Sequence, residues 1–148
     1  MASHVSLMYH IVFSTKHRAP VLVAEDRERL FRHVWGFVKR KNGFLHQAGG
    51  VDDHVHLLAE IHQSIPVATF IKDLKTSTNG FIKRESLFPR FGAWQVGDGA
   101  FSESWGRKPG LIAYIKGQAE HHKHESFVDE FKRLCREAGI EFDERFLE

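Results

Sequence analysis

Hydrophobic and polar positions along this 148-residue chain recur with the periods of strands and helices. Leu7–Ser14 partly alternates aromatic and β-branched residues with polar ones, which predicts a strand. Glu25–Lys41 spaces its apolar residues at helical intervals with basic residues between them, which predicts a helix. Two short strands are predicted next, over Phe44–Val51 and His54–Ile61.

The middle of the chain predicts one more helix and one more strand. Ser64 is expected to cap the helix, and Pro66 is expected to lie in its first turn. The stretch Phe88–Ser104 is rich in aromatic residues and glycine. It is expected to hold a strand around Ala93–Val96, or one that extends to Phe101.

The last third of the chain predicts two helices, one from Pro109 to about His122 and one over Ser126–Ala138. The whole order is strand, helix, strand, strand, helix, strand and then two helices, which is the split β-α-β order of ferredoxin-like folds. We therefore predict an α+β fold with a mainly antiparallel sheet, helices on one face and the other face free for a ligand. One domain is expected over 1–148, with a core over 1–104, a tyrosine-bearing helix over 107–122 and a C-terminal helix and tail over 124–148.

Composition excludes several classes of protein. Hydrophobic residues make up 42% and charged residues 27%, which is ordinary for a globular chain and excludes disorder, collagen-like repeats and coiled coil as the main description. No apolar run approaches the ~20 residues of a membrane span. We expect no secretion signal, because MASHVSLMYH has no basic region followed by an apolar one. The single cysteine, Cys135, excludes an internal disulfide framework. We expect a cytoplasmic protein without membrane contact.

Charge is distributed unevenly along the chain. Residues 125–148 hold 8 acidic and 4 basic residues, and residues 1–124 hold 17 basic and 11 acidic residues. A basic body fits a phosphate-bearing partner, because contacts from lysine and arginine release condensed counterions. A solvated surface of mixed charge is the alternative.

His54-Val55-His56 is the first group with a chemical meaning. Side chains two apart in a strand share a face, so both imidazoles point the same way while Val55 enters the core. Two imidazoles on one face can chelate a divalent metal ion. The preceding Asp52-Asp53 pair can orient a ring nitrogen. The alternative is a chance pairing in a chain with 11 histidines.

Tyr114 is the second group, because it falls in one narrow helical stripe with Gln118 and His121. A phenol with a pKa near about 10 attacks a phosphodiester only if a metal ion polarises the phosphate. Two imidazoles and one amide oxygen leave coordination positions open and suit Mg²⁺ or Mn²⁺. A surface tyrosine with a solvated hydroxyl is the alternative. The other tyrosine, Tyr9, is expected in the sheet or the core.

These residues resemble the single-tyrosine HUH transposases, in which HUH denotes His-hydrophobic-His. That family comprises small insertion-sequence transposases and their REP-associated relatives. The resemblance covers nearly the whole chain and rests on DDHVHLLAEI and AYIKGQAEHH, with YHIVFSTKHRAPVL, IKDLKTSTN, WQVGDGAFSES and FVDEFKRLCREAGIEFDERFL in the same order.

The resemblance implies a role for each matching residue. His54, His56 and Gln118 match the metal ligands, and Tyr114 matches the nucleophile. Members are dimers that cleave single-stranded DNA next to imperfect hairpins, and the tyrosine helix of one subunit can complete the site of the other. The tyrosine becomes linked to a 5′ phosphate, and the released 3′ hydroxyl later rejoins strands. No nucleotide cofactor is needed.

Asp98 and Glu103 depart from the family pattern, because they stand in GDGAFSES where a GYGAFSVS-like stretch is expected. These acidic side chains are expected to alter local packing or DNA contacts. Trp35, Trp94 and Trp105 can stack on unpaired bases, but the usual burial of such residues favours core packing for each. The predicted DNA contacts are Lys72, Lys75, Arg107, Lys108, Lys116 and His121.

Three other functions stay open at this point. One is a domesticated REP-associated relative that nicks and joins hairpin DNA without mobilising an element. Another is a hairpin-binding protein with an inactive site, against which the intact tyrosine and histidines argue. The last is a ferredoxin-like RNA-binding module, which lacks support because the chain has no RNP-type aromatic strand signature.

His122 and His124, which lie close to His121 in the sequence, are expected near phosphates or in solvent.

Overall fold

The computed structural model describes residues 2–147, and within them four strands form one antiparallel sheet. The strands are β1 (Met8–Ser14), β2 (Phe44–Gly50), β3 (His54–Glu60) and β4 (Gly99–Glu103). They lie in the order β2-β3-β1-β4, so β1 and β3 are central. Each neighbouring pair is antiparallel. The α+β prediction and the ferredoxin-like strand order are confirmed.

The helices divide between the two faces of the sheet. The long helices α1 (Ala24–Arg40) and α2 (Val67–Arg84) pack on one face, and α3 (Lys108–Lys116), α4 (Gln118–His121) and α5 (Phe127–Glu137) lie over the other. Among residues 2–147, no helix combines the length and the apolar character that crossing a bilayer requires.

Strand β1 shows why both faces are covered. Ile11 and Phe13 belong to the core under α1 and α2, while Met8 and Val12 point to the opposite face. On that second face Val12 packs with Phe131 of α5. The expectation of an open sheet face is therefore wrong, because the apolar stripes of α3 and α5 need burial and this face supplies their partners.

The last strand lies later than Ala93–Val96, because it pairs with β1 through Gly99–Glu103. Strand β1 ends at Ser14, so Ala93–Val96 lie beyond its end. They make only an isolated bridge, from Trp94 to Thr15. Trp94 is buried and its indole N–H donates to the Thr78 hydroxyl at 2.9 Å. Core packing is therefore confirmed for Trp94, whereas Trp35 and Trp105 are 52% and 55% exposed, so for them that interpretation is wrong.

Two helix boundaries differ from the sequence prediction. Pro66 occupies the N-cap position of α2, and the hydroxyl of Ser64 instead pairs with His62 at 2.7 Å. The helix expected from Pro109 to about His122 is broken at Gly117, where the backbone leaves helical geometry before α4 begins. This break changes the direction in which the side chains after it point.

Candidate active site

Strand β3 places both histidines of the His-Val-His group on the face covered by α4 and α5. His54 and His56 are each 0% exposed, while Val55 packs in the opposite core. The predicted sharing of one face is confirmed. The burial was not predicted, because it comes from helices that follow β3 by more than fifty residues.

His54 is held from both sides of its ring. Its Nδ1 donates to Asp53 Oδ1 at 2.6 Å, and its Nε2 lies 3.2 Å from Gln118 Oε1 and 3.3 Å from Glu130 Oε1. Burial lowers the pKa of His54, but the hydrogen bonds to Asp53 and Glu130 outweigh it and raise the pKa to about 9. Without a metal ion, a proton on His54 therefore faces the Glu130 carboxylate.

His56 is oriented by a third imidazole that sequence reasoning missed. His10 Nε2 lies 2.8 Å from His56 Nδ1, and the two rings are stacked with centroids 5.1 Å apart. On its other side, His56 Nε2 lies 2.9 Å from Glu130 Oε1. Burial lowers the pKa of His10 to about 3 and that of His56 to about 4, so both rings are neutral at pH 7. The alternation of side chains along β1 could have predicted the position of His10, because His10 alternates with core residues in β1 as His56 does in β3.

Gln118 reaches the histidines because the chain turns at Gly117. Its side chain is 1% exposed, its Oε1 faces His54 Nε2, and its Nε2 donates to Glu130 Oε2 at 3.2 Å. The structure thus brings the expected amide to the expected imidazole pair, although through a broken helix.

Tyr114 lies beside the same cluster, with its ring 5.8 Å from the ring of His56. Its hydroxyl donates to Glu130 Oε2 and accepts from Arg133 Nη2 at 2.8 Å. Burial and the Glu130 carboxylate raise the pKa of Tyr114 above the ordinary value of a phenol. The other tyrosine, Tyr9, lies in β1 and packs against the opposite core, as predicted.

Glu130 is the shared partner of these groups, and sequence reasoning missed it. The side chain is 0% exposed and its pKa is lowered despite burial, because His122, His54 and His56 hydrogen-bond to it. One signal was present, since Glu130 lies on the apolar stripe of α5 next to Phe131. A charged residue on the buried face of a short helix indicates a partner in the interior.

Ligand atoms that suit a metal ion converge at this point. His122, expected in solvent or near phosphates, belongs to the cluster, because its Nε2 lies 3.1 Å from Glu130 Oε1. Its Nδ1 donates to the Glu125 carbonyl at 2.7 Å, so in the neutral ring the Nε2 lone pair faces oxygen lone pairs. A metal ion placed between these atoms would remove the repulsion between their lone pairs. The residues whose ligand atoms lie within 4.8 Å of one another are His54, His56, His122 and Glu130.

The sequence profile of the IS200-like transposases matches residues 3–118. The chain belongs to this family. The matched region contains the histidine pair, Tyr114 and Gln118 and ends before α5, so the carboxylate of Glu130 lies outside it.

Two solved structures share the fold of this IS200-like transposase. One is a protein from Deinococcus radiodurans R1 described as a candidate transposase, 23% identical over 80% of this chain and 95% of that chain, with a TM-score of 0.62. The other is a REP-associated tyrosine transposase bound to a REP hairpin, 10% identical over 82% of this chain and 72% of that chain, with a TM-score of 0.60. No curated protein sequence matches significantly.

Some of the side chains predicted to contact DNA in this transposase already form hydrogen bonds or ion pairs within the protein. Lys75 donates to the carbonyls of Gln95 and Gly97 and pairs with Asp98 at 3.2 Å, so its charge is met within the fold. This ion pair also accounts for Asp98, one of the two departures from the family pattern. His121 pairs with Glu125 at 2.6 Å.

The remaining basic candidates lie at the surface. Lys72, Lys116 and Arg107 are exposed. The ammonium of Lys108 lies 3.8 Å from the ring centre of Trp105, which is 55% exposed. Together Lys108 and Trp105 offer a cation and an aromatic face beside the start of α3.

Proposed function

We propose that this transposase cleaves and rejoins single-stranded DNA through a covalent 5′-phosphotyrosine bond on Tyr114. The observation that carries the proposal is the position of the Tyr114 hydroxyl, which shares the Glu130 carboxylate with His54 and His56. A nucleophile and a set of metal ligands thus meet at one buried carboxylate. The family membership supplies the DNA substrate and the transposase activity.

We propose that His54, His56 and Gln118 hold Mg²⁺ or Mn²⁺, with Glu130 and His122 as further ligands. The donor set fits a divalent cation, and its imidazole content favours Mn²⁺ over Mg²⁺. When bound, the ion polarises the scissile phosphate and neutralises charge that builds up in the transition state.

The residues of the chain position the nucleophile and stabilise its charge. The Tyr114 oxygen forms a bond to phosphorus while the bond from phosphorus to the 3′ oxygen breaks. The phenolic proton passes to water, and the 3′ oxygen takes a proton from water and ends as a hydroxyl. Arg133, which already donates to the Tyr114 oxygen, stabilises the negative charge that develops there. In the reverse direction a 3′ hydroxyl attacks the phosphotyrosine and rejoins the strand.

We propose DNA next to hairpins as the substrate, in accord with the resemblance and with the hairpin bound by the REP-associated relative. The reaction uses no nucleotide cofactor, because the phosphotyrosine bond conserves the energy of the broken phosphodiester. We place it in the cytoplasm, in a homodimer in which each chain of 148 residues acts as one domain. A domesticated REP-associated enzyme would use the same chemistry.

A covalent-adduct assay tests the proposal. Wild type, Tyr114→Phe and Tyr9→Phe proteins are incubated with single-stranded DNA from both flanks of the gene, with Mg²⁺, Mn²⁺ or EDTA. Products are separated on a denaturing gel. We expect a metal-dependent shifted band with wild type and Tyr9→Phe and none with Tyr114→Phe.

The outcomes separate the candidate functions. An adduct that persists in Tyr114→Phe would reject the assignment of the nucleophile. DNA retained on a native gel without any adduct would favour a hairpin-binding protein with an inactive site. An adduct on DNA that lacks mobile-element ends but carries dispersed hairpins would favour the domesticated enzyme.

A further inference from the structure

A cleft of about 640 Å³ opens beside Tyr114, between β4, α3 and α5. Its volume lies within the roughly 300–1,000 Å³ typical of small-ligand sites. The reaction proposed above uses only the wall formed by Tyr114 and Arg133. The rest of the cleft therefore has no role in that chemistry.

Small residues create the space. Ala100, Gly106, Gly110 and Ala138 line the cleft, and a β-carbon built on either glycine would meet no atom within 4 Å. Apolar side chains form the inner wall, including the ring of Phe101. A flat ring can enter such a space and pack against these side chains.

Two ion pairs make the cleft polar but close to neutral in charge. Glu103 lies 3.9 Å from Arg107, and Glu137 lies 3.2 Å from Arg133, and all four line the cleft. Because the two carboxylates offset the two arginines, the cleft has no net positive charge that would favour a phosphate. Each carboxylate keeps further lone pairs after pairing with arginine, so each can accept from an N–H of a ligand.

We infer that the cleft binds a nucleobase of the strand that Tyr114 attacks, and that it prefers a base with an exocyclic amino group. Carboxylates accept hydrogen bonds from the amino groups of cytosine, adenine and guanine, and thymine has no such group. The inference rests on the proposed function, because Tyr114 and Arg133 join the cleft to the reacting phosphate. It also gives Glu103, the second departure from the family pattern, a role in substrate preference.

Titrations with single nucleotides test the inference without metal ion or cleavage. Backbone ¹H–¹⁵N spectra are recorded with dCMP, dAMP, dGMP, dTMP and deoxyribose 5-phosphate. We expect saturable shifts at the amides of Ala100, Ser102 and Gly110, severalfold weaker binding of dTMP, and no such shifts with deoxyribose 5-phosphate. Equal shifts with the sugar phosphate, or shifts confined to other regions, would overturn the inference.

Two matched glycine variants sharpen the test. Gly110→Phe places a ring in the cleft. Gly80→Phe changes a glycine of α2 at which an added β-carbon would also meet no atom within 4 Å. We expect at least tenfold weaker nucleotide binding in Gly110→Phe and wild-type binding in Gly80→Phe. Unchanged binding in a folded Gly110→Phe protein would contradict the subsite.

The two proposals fail separately. A DNA adduct without base-dependent nucleotide binding would leave the tyrosine chemistry intact and reject the base subsite. Base-dependent binding at the cleft without an adduct on any flanking DNA would support the subsite and reject the covalent chemistry.

Discussion

At the scale of single residues, Glu130 decides the state of the site. Its carboxylate is completely buried and contacts groups from β3, α3 and α4, among them His56 and Tyr114. A buried carboxylate is costly unless its charge is compensated. Hydrogen bonds from the histidines supply that compensation in this structure, and a metal ion held as proposed above would also supply it. Under that proposal the same residue links metal binding to the freedom of the tyrosine hydroxyl.

Replacing Glu130 by glutamine tests this link. We expect Glu130→Gln to bind Mn²⁺ at least about tenfold more weakly, because the carboxylate charge and one ligand oxygen are lost. Asp129→Asn, the exposed neighbour on α5, is the matched control and should bind as wild type does. Electron paramagnetic resonance of free Mn²⁺ measures both affinities. Equal affinity in Glu130→Gln would show that the carboxylate is not a ligand.

The buried imidazoles predict a dependence of stability on pH. His10 and His56 have pKa values of about 3 and about 4 in the fold, against 6.5 for an ordinary histidine. Below pH 6.5 the unfolded chain binds protons that these folded groups do not, so stability falls by about 1.4 kcal/mol per pH unit for each group. His54 acts in the opposite sense, because its pKa is raised to about 9 and its contribution is lost as the pH rises from 6.5 towards 9.

We therefore expect the metal-free protein to be most stable near pH 6.5. Urea unfolding in the presence of EDTA, at about pH 5, 6.5 and 8.5, measures the free energy of unfolding on both sides of this maximum. Equal free energies at the three pH values would contradict the charge states assigned to these histidines.

At the scale of elements, α5 closes the second face of the sheet through its phenylalanines. Phe131 stacks on Phe146 with ring centres 4.4 Å apart and packs near Phe101 and Phe127. Glu130 directly precedes Phe131 in α5, so these contacts also hold its carboxylate over the histidines. The polar site thus depends on an apolar anchor beside it.

Removing that anchor should loosen α5 before the rest of the fold. We expect Phe131→Ala to cost about 3–5 kcal/mol, the usual range for a buried phenylalanine. Hydrogen exchange should accelerate more over Phe127–Glu137 than in β1 and β3, because the core under α1 and α2 keeps its contacts. Phe44→Ala, at a position 59% exposed, serves as the control. Uniform acceleration across all strands would show that α5 does not open separately.

At the scale of the whole molecule, the candidate site residues of one chain already contact one another. Tyr114 and its partners Glu130 and Arg133 all belong to the chain that carries the histidines. Mixing Tyr114→Phe with His54→Ala protein should therefore restore no adduct formation, once subunit exchange has been verified with labelled chains. Restored activity would mean that the tyrosine helix of one subunit serves the site of another.

The sequence predicted most of the elements and the shared face of His54 and His56, because both depend on short-range patterns, while the chemical roles of the matched residues stay predictions. Period-two alternation located β1 and the shared face of His54 and His56, and helical spacing located α1 and α5 within one or two residues. The strand at Gly99–Glu103 was misplaced, since its position depends on where β1 ends. Glu130 and His10 were missed, because their roles depend on how distant elements pack together.

The two halves of the site lie far apart in the sequence, so the ribosome adds them to the chain at different times. Glu130 follows His56 by 74 positions, so at about 5–20 residues per second it is added to the growing chain several seconds later. During that interval the nascent chain carries its histidines without the carboxylate that later faces them. Translation therefore supplies the strands of the sheet first, Tyr114 next and the closing helix α5 last.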